Sequence, residues 1–413
     1  MLDSEYYDEL EIQDPDEREI LLFESLARHL GSAREDSPYF QDLLKDINPN
    51  DIKTRADLAT LPITAKSDLS DLQKTTPPLA GMTNMAPANF LRIFQSPGPT
   101  YEPEAKGKDW WRMGRALFAA GVRPGDIVHN TFSYHMTPAG MMIESGAQAI
   151  GCTVVPAGTG QTEQQVQAIA HIRPNTYTGT PSFLKILLDK ARETGADISC
   201  LTKALVSGEA LPAALRQEFQ GAGIRCFQAY ASADLGLIAY ESKPQDGLIV
   251  DERLIVEIIR PGTSGPVPEG EIGEVVVTTL NRDYPLIRFA TGDLSSVMAG
   301  TSPCGRTAMR LTGWKGRADQ STKVRGMFVT PKQIGEVVRR HPEIAKARLV
   351  VDMADGADQM TLLCEVAGAH NDLAPAISET LKHLSNLKGE AVVVEPGHLP
   401  NDGLVIEDKR TPG

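Results

Sequence analysis

The sequence has few of the features that mark secreted, membrane-spanning or metal-stapled proteins. It has five cysteines in 413 residues, and they are far apart, so neither a disulfide framework nor a zinc finger is predicted. No apolar stretch reaches the roughly 18 residues needed to cross a bilayer. The acidic start of the chain does not resemble a signal peptide. We therefore expect reduced thiols, no membrane partner and a cytoplasmic location.

Basic residues are outnumbered by acidic ones. Lys and Arg total 41 against 54 Asp and Glu, which gives a formal net charge of −13. An acidic surface repels phosphate backbones, so we expect no nucleic-acid partner, although a local basic pocket for a small anion is compatible with this charge. Aromatic residues make up 6% of the chain and give no indication of an aryl-lined pocket.

Helical spacing dominates the first part of the chain. Apolar residues recur at helical intervals over 5–50, with a helix start near Asp14 or Asp16. The stretch 77–105 contains six prolines and is predicted to be a long connection. A helix is predicted over 108–120, where Gly121 and Pro124 follow as stop signals.

Strand and helix patterns alternate over 126–231, which predicts a parallel α/β sheet. Near residue 245 the pattern changes to alternating apolar and polar residues, which predicts a β-rich submodule of antiparallel strands. A shorter mixed pattern with two helices and three strands completes the chain. We therefore predict an α/β protein with a large N-terminal domain, 1–318, and a small C-terminal α+β domain, 319–413.

Two loops carry residue types that suit a nucleotide. Ser96, Gly98 and Thr100 could present hydroxyls and backbone N–H groups to a phosphate, although no Walker A motif occurs. After an apolar strand, Tyr230 could stack on a planar ring and Asp234 could hold a metal or a hydroxyl. Each loop taken alone is more often an ordinary turn.

A third region adds specificity. In RFATGD, residues 288–293, an Asp after Gly can bind the two hydroxyls of a ribose, and Arg residues nearby can bind phosphate. The segments GRAD, 316–319, and KVRG, 323–326, follow it. All three regions in this order and at this spacing are much more specific than any one of them.

With these loops in place, the chain resembles the phenylacetate–CoA ligase family of adenylate-forming enzymes over nearly its whole length. The resemblance is carried by YYDELEIQDPDERE, LPITAKSDL, GVRPGDIVHNTFSYHMTPAG, SGEALPAAL, PLIRFATGDL and GRADQSTKVRGMFVTPKQIGEVV. It implies a mobile C-terminal domain and a site between the domains. It implies a carboxylic acid that attacks the α-phosphate of MgATP, giving acyl-AMP and pyrophosphate, after which the coenzyme A thiol displaces AMP. A phenylacetate-like acid is the implied substrate, and a homodimer is a further possibility.

The resemblance also assigns roles to positions that match the family motifs. Asp293 matches the ribose-binding acid, Tyr230 the aromatic on adenine, and Asp234 the metal-linked acid. The remaining positions are these: Ser96, Gly98 and Thr100 in the phosphate loop; Ser207, Gly208 and Glu209 beside adenine; Phe132, Tyr134 and His135 in the acyl pocket; Arg317 toward the nucleotide; Asp319 at the hinge; and Lys323, Arg325 and Gly326 in the segment that domain rotation brings to the thioester-forming, coenzyme A side.

Four positions depart from the family pattern. Tyr101 replaces a Gly and Glu102 replaces the Lys of the phosphate loop, while Ala233 replaces a hydroxyl residue. Leu404 lies where the family has the C-terminal Lys that enters the site for adenylation. Losing one such contact typically costs on the order of 3 kcal/mol in the transition state.

Three hypotheses therefore remain open at this level. The first is an ATP-dependent acyl- or aryl-CoA ligase with altered phosphate contacts. The second is a degenerate homologue that binds adenylate or coenzyme A and has lost the adenylation half-reaction. The third is adenylation with an acceptor other than coenzyme A.

Overall fold

A computed structural model describes residues 4–83, 85–96, 99–318, 320–354, 357–368, 373–400 and 404–410. The chain divides into two compact units, Met1–Lys315 and Gly316–Pro412. No helix within those described ranges is long and apolar enough to cross a membrane. The helices are α1 (Pro15–Asp36), α2 (Pro38–Leu43), α3 (Arg55–Leu58), α4 (Leu69–Thr75), α5 (Met113–Ala119), α6 (Ala139–Ile150), α7 (Thr162–Ile172), α8 (Pro181–Thr194), α9 (Ala213–Gly221), α10 (Pro331–Arg340) and α11 (Leu373–Ser385).

The strands form two large sheets and a hairpin in the first unit, and a sheet and a hairpin in the second. They are β1 (Thr64–Ala65), β2 (Arg92–Ser96), β3 (Thr100–Glu104), β4 (Ile127–Asn130), β5 (Thr153–Pro156), β6 (Thr176–Gly179), β7 (Lys203–Val206), β8 (Arg225–Ser232), β9 (Gly236–Tyr240), β10 (Leu248–Val250), β11 (Leu254–Ile259), β12 (Gly273–Thr279), β13 (Phe289–Ser295), β14 (Val297–Met298), β15 (Arg310–Leu311), β16 (Thr322–Val324), β17 (Met327–Val329), β18 (Ile344–Ala354), β19 (Ala357–Val366), β20 (Glu390–Val394) and β21 (Ile406–Asp408).

The predicted α/β class is confirmed by a nine-stranded mixed sheet in the order β14-β15-β10-β9-β8-β7-β6-β4-β5. The pairs from β5 to β8 are parallel, and those from β8 to β14 are antiparallel. Both faces of the parallel part are covered. Leu205 and Phe227 pack with α5 and α6, while Ala204 and Val206 pack with α7, α8 and α9. Successive residues of β7 therefore serve opposite layers, as a doubly covered sheet requires.

The β-rich submodule predicted near residue 245 is a second sheet, in the order β1-β13-β12-β11. The strands β11, β12 and β13 pair antiparallel, as the alternation predicted, and β1 adds to β13 in parallel. The second unit has the sheet order β20-β19-β18-β21 with α10 and α11. It includes the two helices and three strands predicted there, and also the β16–β17 hairpin and β21, which the pattern did not indicate.

Three predicted elements need correction, each for a local reason. The helical region 5–50 is divided at Ser37, because Pro38 has no N–H to continue α1. The Ser37 hydroxyl accepts a hydrogen bond from the Phe40 N–H and caps α2. The helix predicted from residue 108 begins only at Met113, because Asp109 and Arg112 have φ of +52° and +64°.

The third correction concerns 77–105, which is not only a connection. Its second half forms a hairpin in which β2 and β3 pair from Arg92↔Glu104 to Ser96↔Thr100. Pro99 and Pro103 hid this alternation, since proline in a run argues against a strand except at an edge. Among the described strands β3 pairs only with β2, so the backbone N–H groups that these prolines lack cost it few hydrogen bonds.

Burial of His29 predicts an acid-sensitive fold. This side chain on α1 is 7% exposed, and burial lowers its pKa from 6.5 to about 4. Between these values the unfolded chain binds the proton and the folded chain does not. Stability is therefore fully present above pH 6.5 and falls as the pH drops toward 4, by about 3 kcal/mol in total. Urea unfolding of His29→Leu should lose this slope, whereas His171→Leu, at an exposed position, should keep it. An unchanged slope in His29→Leu would contradict the assignment.

Candidate active site

The carboxyl ends of the parallel strands present most of the residues that the sequence singled out in the first unit. Residues 132–135 follow β4, residues 207–209 follow β7, and Tyr230 lies near the end of β8 with Asp234 in the next turn. This edge is where open α/β sheets bind ligands. The hairpin reaches the same region, because the Gln95 N–H donates to the Met136 carbonyl at 2.9 Å.

Lys66 is brought to this region by two local arrangements. Immediately before it, β1 pairs with β13, the strand that carries Asp293. A short 3-10 turn, Lys66–Asp68, then leads into α4, whose Gln73 holds the backbone of Tyr101 with two hydrogen bonds of 2.8 Å. The same short segment therefore fixes both the β13 strand and the hairpin beside Lys66.

Lys66 and Asp234 form the central ion pair. The Nζ atom lies 2.5 Å from Asp234 Oδ2; the lysine side chain is 29% exposed and the aspartate side chain fully buried. Burial acts to lower the pKa of Lys66, but attraction to Asp234, Glu102 and Asp293 outweighs it and raises that pKa above its ordinary value. The ammonium is therefore charged, and three acids attract it.

Glu102 belongs to the cluster of charged residues Lys66, Asp234, Glu102 and Asp293 and does not lie on a surface loop. It is completely buried, and its oxygens accept hydrogen bonds from Ser96 Oγ at 3.0 Å and Thr100 Oγ1 at 2.8 Å. Burial and then the charge of Asp234 raise the pKa of Glu102 well above its ordinary value, while the Thr100 hydroxyl and Lys66 act in the opposite direction. The two phosphate-loop hydroxyls are thus directed at a carboxylate of the same hairpin.

Asp293 is held by two aromatic side chains. The Tyr230 hydroxyl donates to Asp293 Oδ2 at 2.7 Å, and Trp314 Nε1 donates to Oδ1 at 3.1 Å. These three residues line a small cavity between the two sheets of the first unit. These two hydrogen bonds fix the orientation of the Asp293 carboxylate.

The other predicted positions of the first unit lie around this edge. Glu209 accepts the Ser182 N–H at 3.4 Å, and Gly208 has a φ of +80° that favours glycine. The Tyr134 hydroxyl accepts a hydrogen bond from Asn130 at 2.8 Å, and its pKa is raised by burial and by Glu144. His135 is exposed and Phe132 is half-buried.

The second unit carries the predicted positions from Arg317 onward. The Arg317 guanidinium lies over the Phe328 ring at 5.5 Å from its centroid. Lys323 is on β16, and Arg325 and Gly326 form the two-residue turn to β17, both with positive φ. Arg325 is held there by its N–H to Asp358 Oδ2 at 2.8 Å. Gly98 and Asp319 lie outside the described residues.

The expectation that Arg residues near Asp293 bind phosphate is wrong for Arg288. Its side chain is completely buried and donates to both oxygens of Glu257 at 3.0 Å. Its other donors bind the carbonyls of Ala59, Leu61 and Ser264. This arginine joins β13 to β11 and to the loops around them, and has no donor left for a ligand.

Two residues of this region were not singled out from the sequence, namely Lys66 and Trp314. Lys66 lies within LPITAKSDL, which carries the resemblance, but its partner Asp234 is 168 residues away. Trp314 is 42% exposed and follows Gly313 in a loop, with no local pattern that indicates its contact with Asp293. Across the residues that the structure describes, no group of three or more His, Cys, Asp or Glu side chains is arranged to hold a metal.

Comparisons with known proteins agree with this architecture. Residues 110–281 match the AMP-binding enzyme family. The chain is 31% identical over 391 residues to the phenylacetate–coenzyme A ligase of Aromatoleum evansii, covering 89% of this chain and 87% of that one. It is 27% identical to the Escherichia coli enzyme of the same name, covering 97% and 96%.

Among solved structures, the fold matches 2-hydroxyisobutyryl-CoA ligase in complex with 2-HIB-AMP and CoA. The TM-score is 0.85 at 22% identity, over 99% of this chain and 94% of that one. Identity at this level shows the fold alone, but the sequence relatives extend over most of the chain at about a third of positions. The chain therefore belongs to the phenylacetate–coenzyme A ligase family.

Proposed function

We propose that this protein is an AMP-forming carboxylate–CoA ligase. It activates a small carboxylic acid with ATP as an acyl adenylate and then transfers the acyl group to coenzyme A. The observation that carries the proposal is the cluster of Lys66, Asp234, Glu102 and Asp293 at the carboxyl edge of the sheet. It combines a charged lysine with an acid, Asp293, whose orientation is fixed by two aromatic donors, and a nucleotide site needs positioned charges of this kind.

On the nucleotide side, we assign the ribose to Asp293 and the adenine to Tyr230 and to residues 207–209. Tyr230 has a double role in this proposal, since its hydroxyl orients Asp293 and its ring is assigned to a planar base. Ser96, Gly98 and Thr100 belong to the phosphate side. The carboxylate of the substrate attacks the α-phosphorus, pyrophosphate leaves with the bond electrons, and acyl-AMP remains.

Mg²⁺ fits this site. The Asp234 Oδ1 atom is buried and has no hydrogen-bond partner among the described residues, although Oδ2 binds Lys66. A hard oxygen donor of this kind is what Mg²⁺ takes from proteins, with the nucleotide supplying further oxygens. When bound, the ion neutralises charge on the triphosphate. Asp234 would hold the Mg²⁺ ion. Lys66, on the segment between β1 and α4, would neutralise phosphate charge.

The carboxylic acid substrate is proposed to lie beside Phe132, Tyr134 and His135, which follow β4. The curated relatives act, by their names, on phenylacetate, so a phenylacetate-like acid is the first candidate. The structural relative acts, by its name, on a 2-hydroxyisobutyryl group, so a small aliphatic acid is the second. His135 is exposed and could donate a hydrogen bond to the substrate carboxylate.

The thioester half-reaction is assigned to the C-terminal domain. We propose that residues 1–318 bind the nucleotide and acid, and that 319–413 move about Asp319 between the half-reactions. Lys323 is the catalytic position of this domain, and Arg325 and Gly326 lie on the coenzyme A side. Arg317, at the junction, is a catalytic position that reaches the nucleotide. In the second step the thiolate attacks the acyl carbon and AMP leaves. A homodimer is a separate prediction, checked by light scattering.

The test is calorimetric titration with MgATP, AMP and coenzyme A separately, followed by pyrophosphate release with phenylacetate and with 2-hydroxyisobutyrate. We expect MgATP to bind and one of the acids to stimulate release, with the matching CoA thioester formed when coenzyme A is added. Binding of AMP or coenzyme A without MgATP binding would instead support the degenerate homologue. Release that depends on an acid but not on coenzyme A, with no thioester formed, would indicate another acceptor.

Leu404→Lys separates the first two hypotheses directly. If the family Lys has been lost from a decayed site, restoring it should raise acid-dependent pyrophosphate release by about a hundredfold. If Lys66 already supplies the phosphate cation, the wild-type protein should release pyrophosphate and Leu404→Lys should change the rate little. Leu404 is 39% exposed, so the substitution should not disturb the core, and unfolding temperature provides the control.

A further inference from the structure

Two buried acids meet the segment of Lys66. Asp234 pairs with Lys66 at 2.5 Å, and Glu102 follows Tyr101, whose backbone is held by Gln73 of the helix α4 that comes after Lys66. Glu102 is completely buried, and the Asp234 side chain is fully buried as well. The charge of Asp234 acts on Glu102, and Lys66 is attracted to both. Such a pair is costly to hold together unless cations neutralise it. A triphosphate arriving beside these acids would add to the same negative charge.

One oxygen of the pair lacks a partner. Asp234 Oδ1 is buried and receives no hydrogen bond within the described part of the chain. Leaving such an atom unsatisfied typically costs about 1–3 kcal/mol. The atom is therefore an independent indication that a donor or a metal ion completes this site.

Glu102 has the capacity to be a second ligand. Each of its oxygens accepts a single hydroxyl, from Ser96 or Thr100, and a carboxylate offers about four lone-pair positions in total. Mg²⁺ is typically held by one or two carboxylates together with phosphate oxygens and water. A lysine at this position would contact phosphate directly, whereas an ionised glutamate repels a phosphate unless a cation lies between them.

We propose that Glu102, together with Asp234, holds the divalent cation that enters with the nucleotide. This inference rests on the proposed function and assigns a role to the residue that departs most from the family pattern. The replacement of a lysine by Glu102 then changes how phosphate charge is neutralised. In this chain the metal ion neutralises the phosphate charge that a lysine ammonium neutralises in the family pattern. Nucleotide binding therefore depends more strongly on the metal.

The test measures Mn²⁺ binding by electron paramagnetic resonance, with the protein saturated with a non-hydrolysable ATP analogue. We expect Glu102→Gln to weaken Mn²⁺ binding by about tenfold or more. Glu104→Gln is the matched control, because Glu104 is two residues along the same strand, is 3% exposed and pairs with Arg92 at 2.9 Å. It should leave Mn²⁺ binding unchanged. Competition with Mg²⁺ checks that both ions share the site.

The two proposals fail in different ways. Wild-type Mn²⁺ affinity in Glu102→Gln, with AMP binding intact in the same variant, would overturn the role of Glu102 and leave the ligase assignment standing. A wild-type protein that binds neither AMP nor the ATP analogue, with or without metal, would overturn both. If Glu102→Gln does not fold, Glu102→Asp keeps the charge but shortens its reach. Unweakened Mn²⁺ binding there would equally contradict the proposal.

Discussion

Lys66→Ala should reduce the adenylation rate by about a hundredfold to a thousandfold. Lys66 is the cation that the described residues bring into contact with Asp234, and its charge also acts on Glu102 and Asp293. The family lysines are absent at Glu102 and Leu404. The Lys66 ammonium therefore has to neutralise the negative charge that develops on the phosphate during adenylation. The measurement is the initial rate of acid-dependent pyrophosphate release at saturating MgATP.

The control variant is Lys74→Ala on the adjoining helix α4. Lys74 pairs with Asp71 at 2.7 Å, and both side chains are more than half exposed, so this ion pair contributes little. Lys66→Arg should retain part of the rate, because it keeps the charge but not the compact ammonium. A Lys66→Ala protein with the wild-type unfolding temperature and rate would show that another group supplies the charge.

Arg288→Met should destabilise the first unit by about 3–5 kcal/mol. The guanidinium is completely buried. Its loss leaves the Glu257 carboxylate without its ion-pair partner and three carbonyls without this donor. We expect the free energy of unfolding in urea to fall by this amount. Nucleotide affinity of the folded fraction should be much less affected, since Arg288 does not face the site.

Two further variants test the cause. Arg260→Met removes the exposed pair with Glu271 just after β11 and should cost less than about 1 kcal/mol. The double variant Arg288→Met/Glu257→Leu removes both buried charges and should recover part of the stability that Arg288→Met loses. A double variant no more stable than the single one would indicate that the three carbonyl contacts, rather than the unpaired acid, dominate the loss.

Local patterns in the sequence determined most of the elements and the family. The parallel strands β4 to β8 and the helices between them lie where strand and helix patterns alternate over 126–231. Such elements are predictable because their apolar spacing has the period of the backbone conformation that buries it. The motif positions around Tyr230, Asp234 and Asp293 were identified from their residue types and from the family resemblance.

The tertiary structure decided which charged residues meet. Lys66 reaches Asp234 across 168 residues because β1 adds to β13 and α4 holds the hairpin, and neither contact leaves a periodic trace. The same long-range packing turns Arg288 away from the ligand and places Glu102 inside the cluster. Residue identity fixes which charges the chain carries. Only the packing of distant segments fixes which partners each charge meets. A charge whose partners all lie within the chain stabilises the fold, as Arg288 does, whereas one with an atom unpartnered among the described residues, as Asp234 has, can bind a ligand.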